Sequence, residues 1–87
     1  MIGAMVVISR AEMRTSRDTV VGFLREAGCT IGRVRVRLSD PSGVAIEEKS
    51  WSNESIDGTA LAAEVADHIT RSASERTDLE ATITVEV

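Results

Sequence analysis

Arg33, Arg35 and Arg37 alternate with Val34, Val36 and Leu38, and the run ends in Asp40-Pro41-Ser42-Gly43. Val44 to Trp51 resumes an extended pattern beyond it. A period of two on both sides of a Pro–Gly turn predicts a β-hairpin. Asp-Pro-Ser-Gly suits a type I turn closed by a left-handed glycine bulge, because proline presets the first turn position and glycine accepts positive φ at the last. That three-residue loop pairs Asp40 with Val44, Leu38 with Ile46 and Val36 with Glu48. On the opposite face it pairs Arg37 with Glu47, Arg35 with Lys49 and Arg33 with Trp51. A two- or four-residue loop would set Arg37 against Ile46 and mix the faces. Glu48 is the one misfit on the apolar side.

The flanking segments follow the same patterning logic. Met1 to Ile8 reads as a first strand, followed by a polar stretch to Ser16. A helix fits from about Ser16 to Ala27, with Val20, Phe23, Leu24 and Ala27 on one face, Thr15 as cap, Asp18 in its first turn and Gly28 at its end. Gly22 weakens this helix and is expected where helix and sheet come close. A second helix fits from about Gly58 to Ser72, capped by Asp57 or Ser55, with Leu61, Val65 and Ile69 as its stripe and Ala62 and Ala66 beside them. Leu79 to Val87 then alternates again, with Glu80, Thr82, Thr84 and Glu86 on the polar side.

The order β-α-β-β-α-β over residues 1–87 predicts one domain of the α+β class. Its simplest compact form is a ferredoxin-like two-layer sandwich, a four-stranded antiparallel sheet with both helices on one face. In that form strands one and three are central and strands two and four are edges.

Composition narrows the function. The 87 residues carry 14 acidic and 10 basic side chains, net charge −4, which argues against a nucleic-acid binder, whose affinity comes from neutralising phosphates. Phe23 and Trp51 are the only aromatics, too few for base stacking. Nine of the ten basic residues are arginine, which we ascribe to GC-rich coding. Cys29 is alone and forms no internal disulfide, and His68 is the only histidine, so no multi-histidine metal site is expected. No spacing arranges a catalytic triad. The expectation is a non-enzyme without metal or cofactor. With no charged leader and no apolar run of membrane length at its start, the chain is expected to be cytoplasmic and not membrane-bound.

Two candidate sites emerge. The sheet face without helices would display Arg33, Arg35, Arg37, Glu47, Lys49 and Trp51, with Glu80, Thr82, Thr84 and Glu86 on the far edge. Basic and acidic columns on opposite sides of one face suit a two-fold dimer. The second site is an anion-binding end of the sheet, where Arg10, Arg14, Ser16 and Arg17 approach Ser52, Asn53 and Ser55, opposed by Glu12, Asp18 and Glu54.

Val20-Val21-Gly22-Phe23-Leu24-Arg25-Glu26-Ala27-Gly28-Cys29-Thr30-Ile31 resembles the first helix and following strand of ACT-type regulatory domains. The resemblance covers about a seventh of the chain. It implies the same element order, dimerisation through sheets and small-molecule binding at the first loop. Where ACT domains carry an Asp-Arg-Pro-Gly-like turn, this chain has Glu12-Met13-Arg14-Thr15, so amino-acid binding is not carried over. The leading expectation is a non-catalytic protein-interaction or regulatory module, a homodimer or a partner-docking unit acting through its open sheet face or an edge strand. The alternatives are an ACT-like small-molecule or anion-binding domain, and a phage- or operon-encoded inhibitor of a host protein.

Overall fold

The computed structural model describes residues 2–27, 32–52 and 58–86. Its elements are β1 (Ile2–Ile8), a 3₁₀ turn (Met13–Thr15), α1 (Arg17–Ala27), β2 (Arg33–Ser39), β3 (Ala45–Ser52), α2 (Gly58–Glu75) and β4 (Glu80–Glu86). The four strands form one antiparallel sheet, and the two helices pack on each other over one of its faces. Element order and layers are those of a ferredoxin-like α+β sandwich.

The strand order is β1-β4-β2-β3, so β4 and β2 are central while β1 and β3 are the edges. This corrects the expectation that strands one and three lie inside. Each β-α-β crossover still skips one strand, with β4 between β1 and β2, and β2 between β4 and β3. The inner places go to strands that bury a full apolar row under the helices: Val34, Val36 and Leu38 on β2, and Ala81, Ile83 and Val85 on β4. β3 is exposed from Ala45 through Ser50 and suits an edge.

The hairpin turn forms as its residues predict. Gly43 adopts φ 87°, the left-handed region that favours glycine, and no other described residue has positive φ. Its N–H donates to the Asp40 carbonyl at 3.0 Å, and the Asp40 N–H donates to the Val44 carbonyl at 3.0 Å. The Asp40 carboxylate accepts from the Ser42 hydroxyl at 2.6 Å and from the Ser42 and Val44 N–H groups at 3.0 Å each.

Beyond the turn the expected register fails. Ser39 pairs with Ala45 but Leu38 pairs with Glu47, which leaves Ile46 as an extra residue in a β-bulge. Every later pair is shifted by one: Arg37 faces Glu48, Val36 faces Lys49, Arg35 faces Ser50 and Val34 faces Trp51. The physical reason is an exchange of burial. Trp51, the largest side chain available, enters the core at 5% exposure, Glu48 leaves the apolar side, and Ile46 stays at the surface.

One core joins the layers. Val20 and Leu24 of α1 meet Leu61, Ala62, Val65, Ala66, Ile69 and Ala73 of α2 above the inner rows of the sheet. α2 runs to Glu75, one turn past the expected end at Ser72. Ala73 extends the buried stripe, and the Ser72 and Ser74 hydroxyls donate back to the His68 and Thr70 carbonyls at 2.9 and 3.1 Å. The start of α1 also differs from expectation. The Ser16 carbonyl accepts the Val20 N–H at 2.8 Å, while the Thr15 hydroxyl turns back to the Glu12 carbonyl and caps nothing. Gly22 is exposed, and a Cβ there would meet nothing within 4 Å, so no close helix–sheet approach requires it. The expected caps Ser55 and Asp57, the stop at Gly28 and the cysteine at 29 lie outside the described residues.

Candidate interaction surface

The helix-free face is built by the strand positions that alternate with the core. Met5 and Val7 come from β1, Thr82, Thr84 and Glu86 from β4, Arg33, Arg35 and Arg37 from β2, and Glu48 and Ser50 from β3. The pairing sets them in rows: Met5, Thr84, Arg35 and Ser50 cross the sheet together, and Val7, Thr82, Arg37 and Glu48 form the next row. The three arginines therefore stand on the open face, as their alternation predicts.

Glu47, Lys49 and Trp51 do not join them. The bulge at Ile46 turns all three to the helix side of β3. There Trp51 packs edge-on to His68 of α2 with ring centroids 5.5 Å apart, and Lys49 Nζ lies 5.2 Å from the centre of the indole. Glu47 Oε1 approaches His68 Nε2 at 3.1 Å without hydrogen-bond geometry. Trp51 is thus a core residue at the end of β3 rather than an anchor on the open face.

The charge pattern differs from the expected opposed columns. Because β4 is inside the sheet, its Glu86 stands beside Arg33 and Arg35 instead of at a far edge. Arg35 lies 3.5 Å from Glu48 and 3.4 Å from Glu86, so the middle arginine is already bracketed by two carboxylates. Its Nε makes no hydrogen bond. Half-exposed contacts of this length contribute at most about 1 kcal/mol each. They tie Arg35 into the face, while Arg33 and Arg37 stand exposed on either side of it.

Beside these charged and polar rows, the face exposes an apolar pair at the β1 edge. Met5 is 61% exposed and Val7 52%, and β1 has no strand beyond it among the described residues. Ile2–Ile8 contains no charged residue and no proline. Gly3 forms a bulge between Ile2 and Ala4, so the regular part of the edge is Ala4–Ile8, five residues centred on Val6. Sequence reasoning read this run as an inner strand. The signal for its present role is that a uniformly apolar strand must expose one side wherever helices cover only the other.

The expected anion-binding residues separate. Arg10 and Arg14 meet at a cleft of about 220 Å³ between the 3₁₀ turn and the end of α2, where Arg76 and Thr77 complete the wall. Arg17 lies elsewhere, ion-paired with Asp67 of α2 beside a broader groove between the helices. The Ser16 hydroxyl is buried and donates to the Met13 carbonyl at 2.8 Å, so it is not available to a ligand. Asn53 and Ser55 lie outside the described residues. Arg76 was not foreseen; it follows a helix that the sequence reading ended a turn too soon.

Among the described residues, no cluster of three or more His, Cys, Asp or Glu side chains is placed to hold a metal ion, and no helix is long and apolar enough to cross a membrane. No family model matches the chain, and neither the curated proteins nor the solved structures contain a match. The likeness of residues 20–31 to ACT-type domains is therefore not joined by a family match.

Proposed function

We propose that this protein is a non-catalytic interaction module that pairs through the β1 edge, and that its first partner is a second copy of the same chain. One observation carries the reading: the strand with no charge at all occupies an edge, with Met5 and Val7 open to solvent beside it. Edge strands that are not meant to pair are normally guarded by charge, proline or bulges within the exposed stretch. β1 has its bulge only at Gly3, outside the regular stretch.

Self-pairing fits the strand's symmetry. An antiparallel pair about a two-fold axis at Val6 sets Val6 against Val6, Met5 against Val7 and Ala4 against Ile8, which uses the whole regular stretch. Each residue near such an axis meets its own kind or a close neighbour, so a single central charge would repel itself. The uncharged β1 avoids that. Two Met5–Val7 contacts would then join the open faces of both copies into one apolar stripe. Burying the exposed parts of these four side chains contributes on the order of 4–6 kcal/mol, against an association cost of at least about 4 kcal/mol, so backbone hydrogen bonds across the dyad must supply the net affinity. A concentration-dependent dimer with Kd no tighter than about micromolar is expected.

Sedimentation velocity on the wild-type chain and on Met5→Lys/Val7→Lys tests it. Both side chains are exposed, so the variant keeps its fold, while four lysines cluster about the axis. The wild type should shift from monomer to dimer with rising concentration and the variant should remain monomeric. A wild type that stays monomeric at millimolar concentration, or a variant that dimerises equally, contradicts the reading.

A further inference from the structure

A separate cleft, on the helix layer rather than the open face, brings three arginines together. Arg10 and Arg14 come from either end of the Ser9–Thr15 turn, and Arg76 comes from the residue after α2. Met13 and Ala73, both buried, form the floor, and Ala11 and Thr77 complete the lining. Among the described residues, no acidic side chain lines the space.

Three carboxylates stand nearby: Glu12 in the same turn, Asp78 beside Arg76, and Asp40, whose charge also acts on Arg76. Glu12 accepts the Ser9 hydroxyl at 2.8 Å. Asp78 takes the Arg76 guanidinium in a two-pronged contact at 2.6 and 3.0 Å, which holds that guanidinium above, and the Asp78 carboxyl below, their ordinary values. Arg10 and Arg14 form no ion pair among the described residues. Arg76 is thereby fixed as one wall, while the other two guanidiniums remain free across the mouth. Arg10 and Arg14 thus bring two uncompensated charges to the cleft beside the Arg76–Asp78 pair, and an anion held between them offsets their repulsion. Arginine forks also match the oxygens of phosphate and carboxylate groups two at a time.

We propose that the cleft formed by Arg10, Arg14, Arg76 and Thr77 binds a small, multiply charged oxyanion of the phosphate or polycarboxylate type. Its volume is roughly that of seven waters, enough for a pyrophosphate- or citrate-sized ion. The buried Met13 and Ala73 floor leaves room for a short apolar portion on the ligand. The reading is independent of β1 pairing.

The test is an amide NMR titration of the full chain with inorganic pyrophosphate and, separately, citrate, against sodium chloride at matched ionic strength. Saturable shifts confined to residues 10–14 and 73–77 are expected. Arg14→Gln and Arg10→Gln, both at exposed positions, should each weaken binding roughly tenfold or more. Binding of pyrophosphate alone or citrate alone supports the site and assigns its ligand class. Shifts that never saturate at 10 mM, shifts that chloride reproduces, or unchanged affinity in both variants overturn it. An oligonucleotide that binds more tightly than pyrophosphate also overturns it, in favour of a strand-binding surface.

Discussion

β3 closes one side of the sheet with Glu47, Glu48 and Lys49 in its middle and an extra residue at Ile46, whereas β1 closes the other with seven residues and no charge. The two edges share a sheet, a length class and an antiparallel neighbour, yet they treat solvent in opposite ways. On β3 the bulge twists the outer ladder, and pairing with a copy would crowd three charged side chains per strand, Glu48 against Glu48 about an axis there. On β1 the bulge at Gly3 sits at the beginning of the strand, and Ala4–Ile8 remains regular and apolar. The difference teaches that the hairpin edge is guarded and the first strand is the open edge, on which the proposed pairing rests.

The largest test of this contrast is Trp51→Ala. Trp51 is 5% exposed and anchors β3 to His68 of α2, so its loss should cost about 3–5 kcal/mol of stability. In a domain this small that lowers Tm by more than about 12 °C. The folded fraction should still show the dimerisation proposed for the wild type, read by sedimentation at low temperature. A variant that loses association while keeping its Tm would return Trp51 to the interface and reverse the assignment of the edges.

Removing the guard comes next. Glu47→Thr/Glu48→Thr/Lys49→Thr leaves β3 with high strand propensity and no charge. A molecule with two open edges adds copies at both sides, so light scattering should show mass growing beyond the dimer with concentration. Mass that stops at the dimer would show that the bulge at Ile46, rather than charge, keeps β3 single.

The smallest expected effect lies in the turn that holds β3. The Ser42 hydroxyl, then the Val44 N–H, hold the Asp40 carboxyl below its usual 3.8. A carboxylate depressed by folding contributes stability above its unfolded pKa and loses it as pH falls through the folded one. Exchange of the Ser42 and Val44 amides should therefore quicken relative to intrinsic rates as pH drops from about 5 to about 2. β1 has no titrating side chain and should show no matching acid response in that window. Equal acid sensitivity of both edges would contradict the separation.

Much of the fold was legible because it follows from local chemistry. The Asp40–Gly43 turn, the alternation of Arg33–Leu38, the stripe from Leu61 to Ile69 and the alternation of β4 all formed as patterned. The strand order was not legible, because it depends on which strand takes a central place. The expectation of strands one and three inside follows from the ferredoxin-like arrangement alone, and no local pattern along the chain reports strand order. The register of β3 was half legible: Glu48 on the apolar side was the sign of a bulge, and moving Ile46 out resolves it by bringing Trp51 in. That single residue decides the site as well, since it sends Glu47, Lys49 and Trp51 away from the arginines. Arg76 escaped notice because Ser72 and Ser74 look like helix breakers, whereas their hydroxyls bond to the preceding turn and let α2 continue.

Amide hydrogen exchange measured residue by residue at two protein concentrations addresses the β1 edge most directly. If the first strand pairs with its copy, the outward-pointing amides within Ala4–Ile8 gain protection at high concentration and lose it on dilution, while β3 is unchanged. Protection that is independent of concentration along β1, or that appears along Ala45–Ser52 instead, contradicts the account.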